Sequence, residues 1–113
     1  MALVFKIVDR AAWNGAQATG SYAGAPVDLA DGYIHLSAAH QLRETAAKHF
    51  RGRQDQLLVA FEADDLGKEL RWEPSRGGDL FPHLYGPLPT AAALWTLPLP
   101  LDGEGIPLLP DLA

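Results

Sequence analysis

The stretch Gln56-Leu57-Leu58-Val59-Ala60-Phe61-Glu62 sets five apolar residues in unbroken succession between two polar ones. Side chains of a strand alternate between its faces, so this segment is apolar above and below. It reads as a central strand covered on both sides. Leu3-Val4-Phe5-Lys6-Ile7-Val8 reads as a second strand, rich in β-branched and aromatic residues, with Lys6 its only charge. A lysine so placed must either run its stem out to water or meet an anion.

Around these strands the punctuation is clear. Asp9 stands at the N-cap of a helix over Arg10 to Ala18 that Gly20 ends. Ser21 to Asp31 mixes glycine, proline and aspartate without period and reads as a loop. A strand over Tyr33 to Ser37 follows. Ser37 then caps a helix from Ala38 to Phe50, with Ala39, Leu42, Ala46 and Phe50 at helical spacing and Gly52 as its stop. After the central strand, Asp64 to Gly67 turns the chain. Glu69 to Glu73 alternates, with Arg71 and Glu73 on one face and Leu70 and Trp72 on the other. Phe81 to Tyr85 is a further strand, for which Pro82 predicts an edge or a strand start. Ala91 to Leu99 is the last strand.

Strand, helix, strand, helix and then four strands is an α+β order. With 113 residues and 48% hydrophobic content the chain supports one domain over residues 1–113, with a core about 3–99 and a proline-rich tail over 100–113. Neither nucleotide-loop pattern, G-x-G-x-x-G or G-x-x-x-x-G-K-[ST], occurs. A net charge of −5 argues against DNA as partner, and no apolar run approaches the about 18 residues that a membrane span needs. The amino terminus does not resemble a signal peptide, so a cytoplasmic location is expected. The chain has no cysteine, which removes thiol nucleophiles and cysteine-based metal sites. A local group of cations, Arg43, Lys48, Arg51 and Arg53, reads as a solvated helix end or as an anion-binding rim.

The chemistry concentrates in two segments, Asp31-Gly32-Tyr33-Ile34-His35-Leu36-Ser37 and Phe81-Pro82-His83-Leu84-Tyr85-Gly86. Alternation puts Ile34 and Leu36 toward the core and Tyr33, His35 and Ser37 on the opposite side; Phe81, His83 and Tyr85 repeat the pattern. Imidazole exchanges protons near neutrality, so His35 and His83 are the candidate acid–base pair if their strands are neighbours. Glu73, beside Trp72, is the candidate orienting carboxylate, with Arg71 or Arg76 as rival partners in a surface ion pair. Tyr85 can close a ligand pocket. No metal-ligand spacing is present, and His40 and His49 fall on opposite sides of one helix.

These segments, with Gln41, Arg71-Trp72-Glu73, Lys6, Trp13 and Phe50, resemble the small bacterial domain-of-unknown-function family 952 over roughly Leu3 to Leu99. That family is grouped with the ADP-ribosyltransferase-like superfamily. The resemblance implies two small, mostly antiparallel sheets forming a cleft, and NAD or a similar nucleotide as the small-molecule ligand. It maps the superfamily's first-strand position near Lys6, its second near His35 and its acid onto Glu73. The expectation is therefore transfer or hydrolysis at a glycosidic carbon, with His35, His83 and Glu73 catalytic and Lys6, Ser37, Tyr85 and Trp72 binding substrate. Two alternatives stand beside it. His35-Leu36-Ser37 is similar to the H-x-[ST] element of two-histidine phosphoesterases that act on cyclic phosphates, and a non-catalytic ligand-sensing or partner-binding module would use the same histidines only to bind.

Overall fold

A computed structural model describes residues 2–112, with the side chain of Arg76 outside the described set. In chain order the elements are β1 (Leu3–Asp9), α1 (Arg10–Thr19), β2 (Ser21–Tyr22), α2 (Pro26–Asp31), β3 (Ile34–His35), β4 (Ser37–Ala38), α3 (Leu42–His49), β5 (Gln56–Glu62), β6 (Leu70–Pro74), β7 (Leu80–Leu84), β8 (Leu88–Pro89) and β9 (Trp95–Leu99). The fold is α+β with several small antiparallel sheets rather than two. A four-stranded sheet runs β4-β1-β5-β9, a three-stranded one β3-β7-β6, and β2 pairs β8.

The apolar run does what its pattern demands. β5 lies inside the larger sheet, between β1 and β9. Its alternate residues enter separate clusters, Leu57, Val59 and Phe61 on one face and Leu58 and Ala60 on the other. Leu42 and Ala46 of α3 cover the second face; Trp13 of α1, Ile34 and Leu84 of the three-stranded sheet, and Leu36 just after β3 cover the first. Trp13 packs edge-on against Phe61 with ring centroids 6.3 Å apart. Truncating a fully buried phenylalanine such as Phe61 costs about 3–5 kcal/mol. By alternation Lys6 falls on the same face as Val4 and Val8, between the two sheets, and it is 6% exposed.

Several expectations change. The segment expected as a loop holds β2 and α2, because Pro26 opens α2 at its first turn and the Asp28 carboxylate accepts the Ala25 amide at 2.7 Å. Asp9 occupies the N-cap position of α1 without capping it, and its carboxylate accepts from Gln56 Nε2 at 3.2 Å instead. The second helix begins later than Ala38, after a 3-10 turn over Ala39–Gln41, and Gln41 Oε1 rather than Ser37 accepts the Ala38 amide. β9 starts only at Trp95, following a 3-10 turn over Thr90–Ala92.

Pro82 is at neither a strand start nor an edge, since β7 is the middle strand of its sheet. Its carbonyl accepts the Leu36 amide at 3.0 Å, just where β3 stops, so the missing N–H interrupts no further ladder bond. The tail is folded as well: Leu101 bridges Pro107, the Asp102 carboxylate accepts the amides of Glu104 and Ile106, and Leu109 and Leu112 pack on the α3 side of the core. Among the described residues no helix is long and apolar enough to cross a membrane.

Candidate functional site

β3 and β7 are neighbours, and their register sets His35 directly opposite His83. The Leu36–Pro82 bond marks the adjoining position as hydrogen-bonded, so the histidine pair occupies the intervening site where side chains of opposing residues come closest. The ring centroids are 5.5 Å apart, close to perpendicular. On the other side of β7, Arg71 lies opposite His83 and Glu73 opposite Phe81. Tyr33, His35, His83, Tyr85, Arg71 and Glu73 therefore share one sheet face. Ile34 and Leu36, each 2% exposed, point into the core, as alternation requires.

Each imidazole is backed by a carboxylate. His83 is buried, and its Nδ1 lies 2.8 Å from Glu73 Oε1, which also accepts the Tyr85 hydroxyl at 2.8 Å. A carboxylate only accepts, so Nδ1 is the donor in this bond. The bonds from His83 and Tyr85 hold the Glu73 carboxyl below its usual range, and the same bond pushes the Tyr85 hydroxyl up.

His35 is held from both ends. Its Nδ1 is 2.6 Å from Asp28 Oδ1 and its Nε2 is 3.0 Å from Asp31 Oδ2. The Nδ1 contact is a hydrogen bond, whereas the Nε2 contact is a charge contact that holds when the ring carries two protons. Asp28 is 2% exposed and also accepts the amides of Ala25 and His35. Lys6 Nζ meets it at 3.0 Å and donates to the His35 carbonyl at 2.9 Å. Burial opposes the Asp28 charge, yet the bond from His35, the charge of Lys6 and the two amides outweigh it and hold the carboxyl well below the carboxylate range. Burial pulls the Lys6 ammonium down, with Asp28 opposing.

Tyr33 covers the pair. Its ring centroid is 4.2 Å from His83, 4.6 Å from His35 and 5.2 Å from Tyr85. Burial and the carboxylates of Asp31 and Glu73 push its hydroxyl up. The Arg71 guanidinium stands 4.6 Å over the Tyr85 ring. Beside Tyr33 a hollow of about 210 Å³ opens between Asp28, Leu29, Leu84 and Gly86.

The structure thus brings His35, His83, Glu73 and Tyr85 together and leaves three other sequence candidates elsewhere. Lys6 lies beneath the site with its donors turned to Asp28 and the His35 carbonyl. Ser37 belongs to the larger sheet, opposite Phe5, because the chain changes sheets after His35; it is buried with its hydroxyl 3.4 Å from that of Thr45. Trp72 points to the opposite face from Glu73 and is 41% exposed, so it does not wall the carboxylate. The rival Arg76 side chain lies outside the described residues. Asp28, Asp31 and Arg71 were missed. The only sequence signal for Asp28 was Pro26 two positions before it, a helix start inside the apparent loop.

The cationic group lies apart from this face. Lys48 reaches Glu44 at 3.7 Å, Arg53 stands over Phe50, and Arg43 opens with His40 on a hollow of about 380 Å³ against the tail. No cluster of three or more potential metal ligands occurs among the described residues.

Fold and face together define a small α+β domain with a pair of histidines on one sheet face. The chain belongs to the family described as protein of unknown function (DUF952), which it matches over residues 7–96. It is similar to CC0527 from Caulobacter crescentus, whose crystal structure superposes with a TM-score of 0.92 at 52% identity, covering 94% of this chain and 93% of that one. The solution NMR structure of CC0527 gives a TM-score of 0.84 at 52% identity, over 95% and 92% of the two chains. Among curated proteins nothing matches.

Proposed function

We propose that the His35–His83 face binds an NAD-like nucleotide and promotes transfer or hydrolysis at its glycosidic carbon. The observation that carries this reading is the in-register histidine pair, each ring fixed by its own carboxylate on one sheet face. Fixed geometry of this kind suits proton transfer, because the reacting nitrogen is oriented before the ligand arrives. In the reaction the N-glycosidic bond breaks with its electron pair leaving on the base. Water or an acceptor hydroxyl adds to the anomeric carbon and gives its proton to His83 Nε2. Glu73 stabilises the imidazolium so formed. Tyr33 and Tyr85 offer rings on which a base can stack. Arg71, exposed on the same face, takes the phosphate role that the enclosed Lys6 cannot fill. The arrangement also supports the ADP-ribosyltransferase-like grouping, with His35 at the second-strand position and Glu73 as the acid.

Calorimetric titration with NAD, ADP-ribose and nicotinamide tests the reading. Saturable heat with NAD or ADP-ribose is expected, and silence toward all of them at millimolar concentration overturns it. Where NAD is turned over, His83→Gln lowers nicotinamide release by about 10²-fold or more. A phosphoesterase would need a hydroxyl beside His35, and the burial of Ser37 against Thr45 weighs against that alternative.

A further inference from the structure

The two carboxylates on His35 are unequal. Asp28 is enclosed and tied by Lys6, by the His35 ring and by two backbone amides. Among the described residues Asp31 makes one ion pair, to Nε2, and its side chain is 45% exposed. It closes α2, immediately before Gly32 turns the chain at φ 86°, and a negative charge at the C-terminal end of a helix gains nothing from the helix dipole. Its contact with the ring is therefore what occupies it. With both ring nitrogens protonated, Lys6 and His35 carry two positive charges, of which Asp28 answers one and Asp31 the other.

We infer that Asp31 holds the place of a ligand oxyanion, a phosphate or pyrophosphate oxygen that takes over the charge contact with His35 Nε2 in a one-for-one exchange. The exchange conserves the charge balance of the Lys6–Asp28–His35 chain. The displaced carboxylate swings into water, where an ion pair of this exposure is weak. Arg71, on the same face and without an ion pair among the described residues, stands available to a second anionic oxygen. Tyr33, stacked across both imidazoles, must give way as the anion arrives. The inference rests on the reading of this face as a ligand site, but it names the recognised group and does not depend on a nicotinamide.

Wild type and Asp31→Asn are titrated with inorganic pyrophosphate and, separately, with NAD and ADP-ribose, by calorimetry and by the ¹⁵N shifts of the histidine rings. Pyrophosphate is expected to bind, to move the His35 ring nitrogens, and to bind about two- to fivefold tighter to Asp31→Asn, the weight of one exposed ion pair. Unchanged His83 ring shifts and far-ultraviolet dichroism in the ligand-free variant show that the fold is kept, and Asp31 is exposed enough for that outcome. Equal or weaker pyrophosphate binding by the variant, or no binding by either protein, overturns the exchange. A pyrophosphate response with the expected gain, but no response to NAD or ADP-ribose, keeps the oxyanion site and removes the NAD reading. NAD binding that is indifferent to Asp31→Asn, with pyrophosphate equally indifferent, removes the exchange and keeps the NAD reading.

Discussion

Asp28→Asn keeps the shape of the side chain and removes its charge, and the consequence can be worked from its contacts. Every neighbour of the carboxylate is a donor: Lys6 Nζ at 3.0 Å, His35 Nδ1 at 2.6 Å, and the amides of Ala25 at 2.7 Å and His35 at 3.1 Å. Asparagine offers one accepting oxygen where two were used, and turns an NH₂ group toward donors. Lys6, 6% exposed, is left without its counter-charge. Breaking a buried pair by removing one partner costs about 3–5 kcal/mol. Lys6 can relieve part of this by releasing its proton, toward which burial already inclines it, so the lower end, about 3 kcal/mol, is expected. For a chain of this length that lowers Tm by about 10–15 °C, a large part of a total stability of about 5–15 kcal/mol. Urea and thermal unfolding, followed by tryptophan fluorescence and far-ultraviolet dichroism, measure it. The double variant Lys6→Met, Asp28→Asn removes both charges while keeping a side-chain acceptor at position 28, and should lose less than Asp28→Asn alone. The acid limb adds a second check. The folded-state carboxyl lies below its ordinary value, so its contribution is complete above about pH 4 and is lost as pH falls through the depressed value; wild type and variant converge there. A loss under about 1 kcal/mol, or a double variant that loses the sum of the single losses, would refute the claim that this pair ties β1 to the site.

Glu73→Gln should lower the Tyr85 hydroxyl titration toward the ordinary tyrosine value, read from the ring carbon shifts, because the bond to Glu73 is what raises it. The same substitution should flatten the acid limb of the stability curve, since the depressed Glu73 carboxyl contributes above the ordinary glutamate value of 4.5 and loses that contribution as pH falls through its lowered value. Gly24→Ala places a Cβ 2.8 Å from Asp28 Cβ at a φ of +118° and should cost about 1–3 kcal/mol in urea unfolding, with His35 ring shifts displaced. Tyr33→Ala should cost about 1 kcal/mol through its lost ring contacts while speeding solvent exchange of the His83 ring proton, which the Tyr33 ring now covers at 4.2 Å.

Much of the frame was legible along the chain. β1, α1 with its stop at Gly20, and β5 follow from patterns a few residues long, and Gly20 takes the left-handed conformation its place at the helix end predicts. That Tyr33 and His35 share one strand face, and His83 and Tyr85 another, was readable too, because the pleat sorts neighbours to opposite sides whatever lies beyond. α2 escaped notice because six residues hold too little periodicity to separate a short helix from a loop.

The amino-acid order by itself decided which side chains could stand together on one strand face, and that a lysine among apolar residues would need an anion. Which anion, and which side of the molecule, only tertiary structure decided. Lys6 meets Asp28 through a contact 22 residues away in the chain, and the change of sheet after His35 carries Ser37 out of the site although His35 and Ser37 are two residues apart. Trp72, an apolar residue on the core side by alternation alone, stays 41% exposed because no layer covers that part of β6. Alternation is a property of the local backbone, whereas pairing, register and cover depend on how distant segments close on one another, and no short window of sequence contains that information.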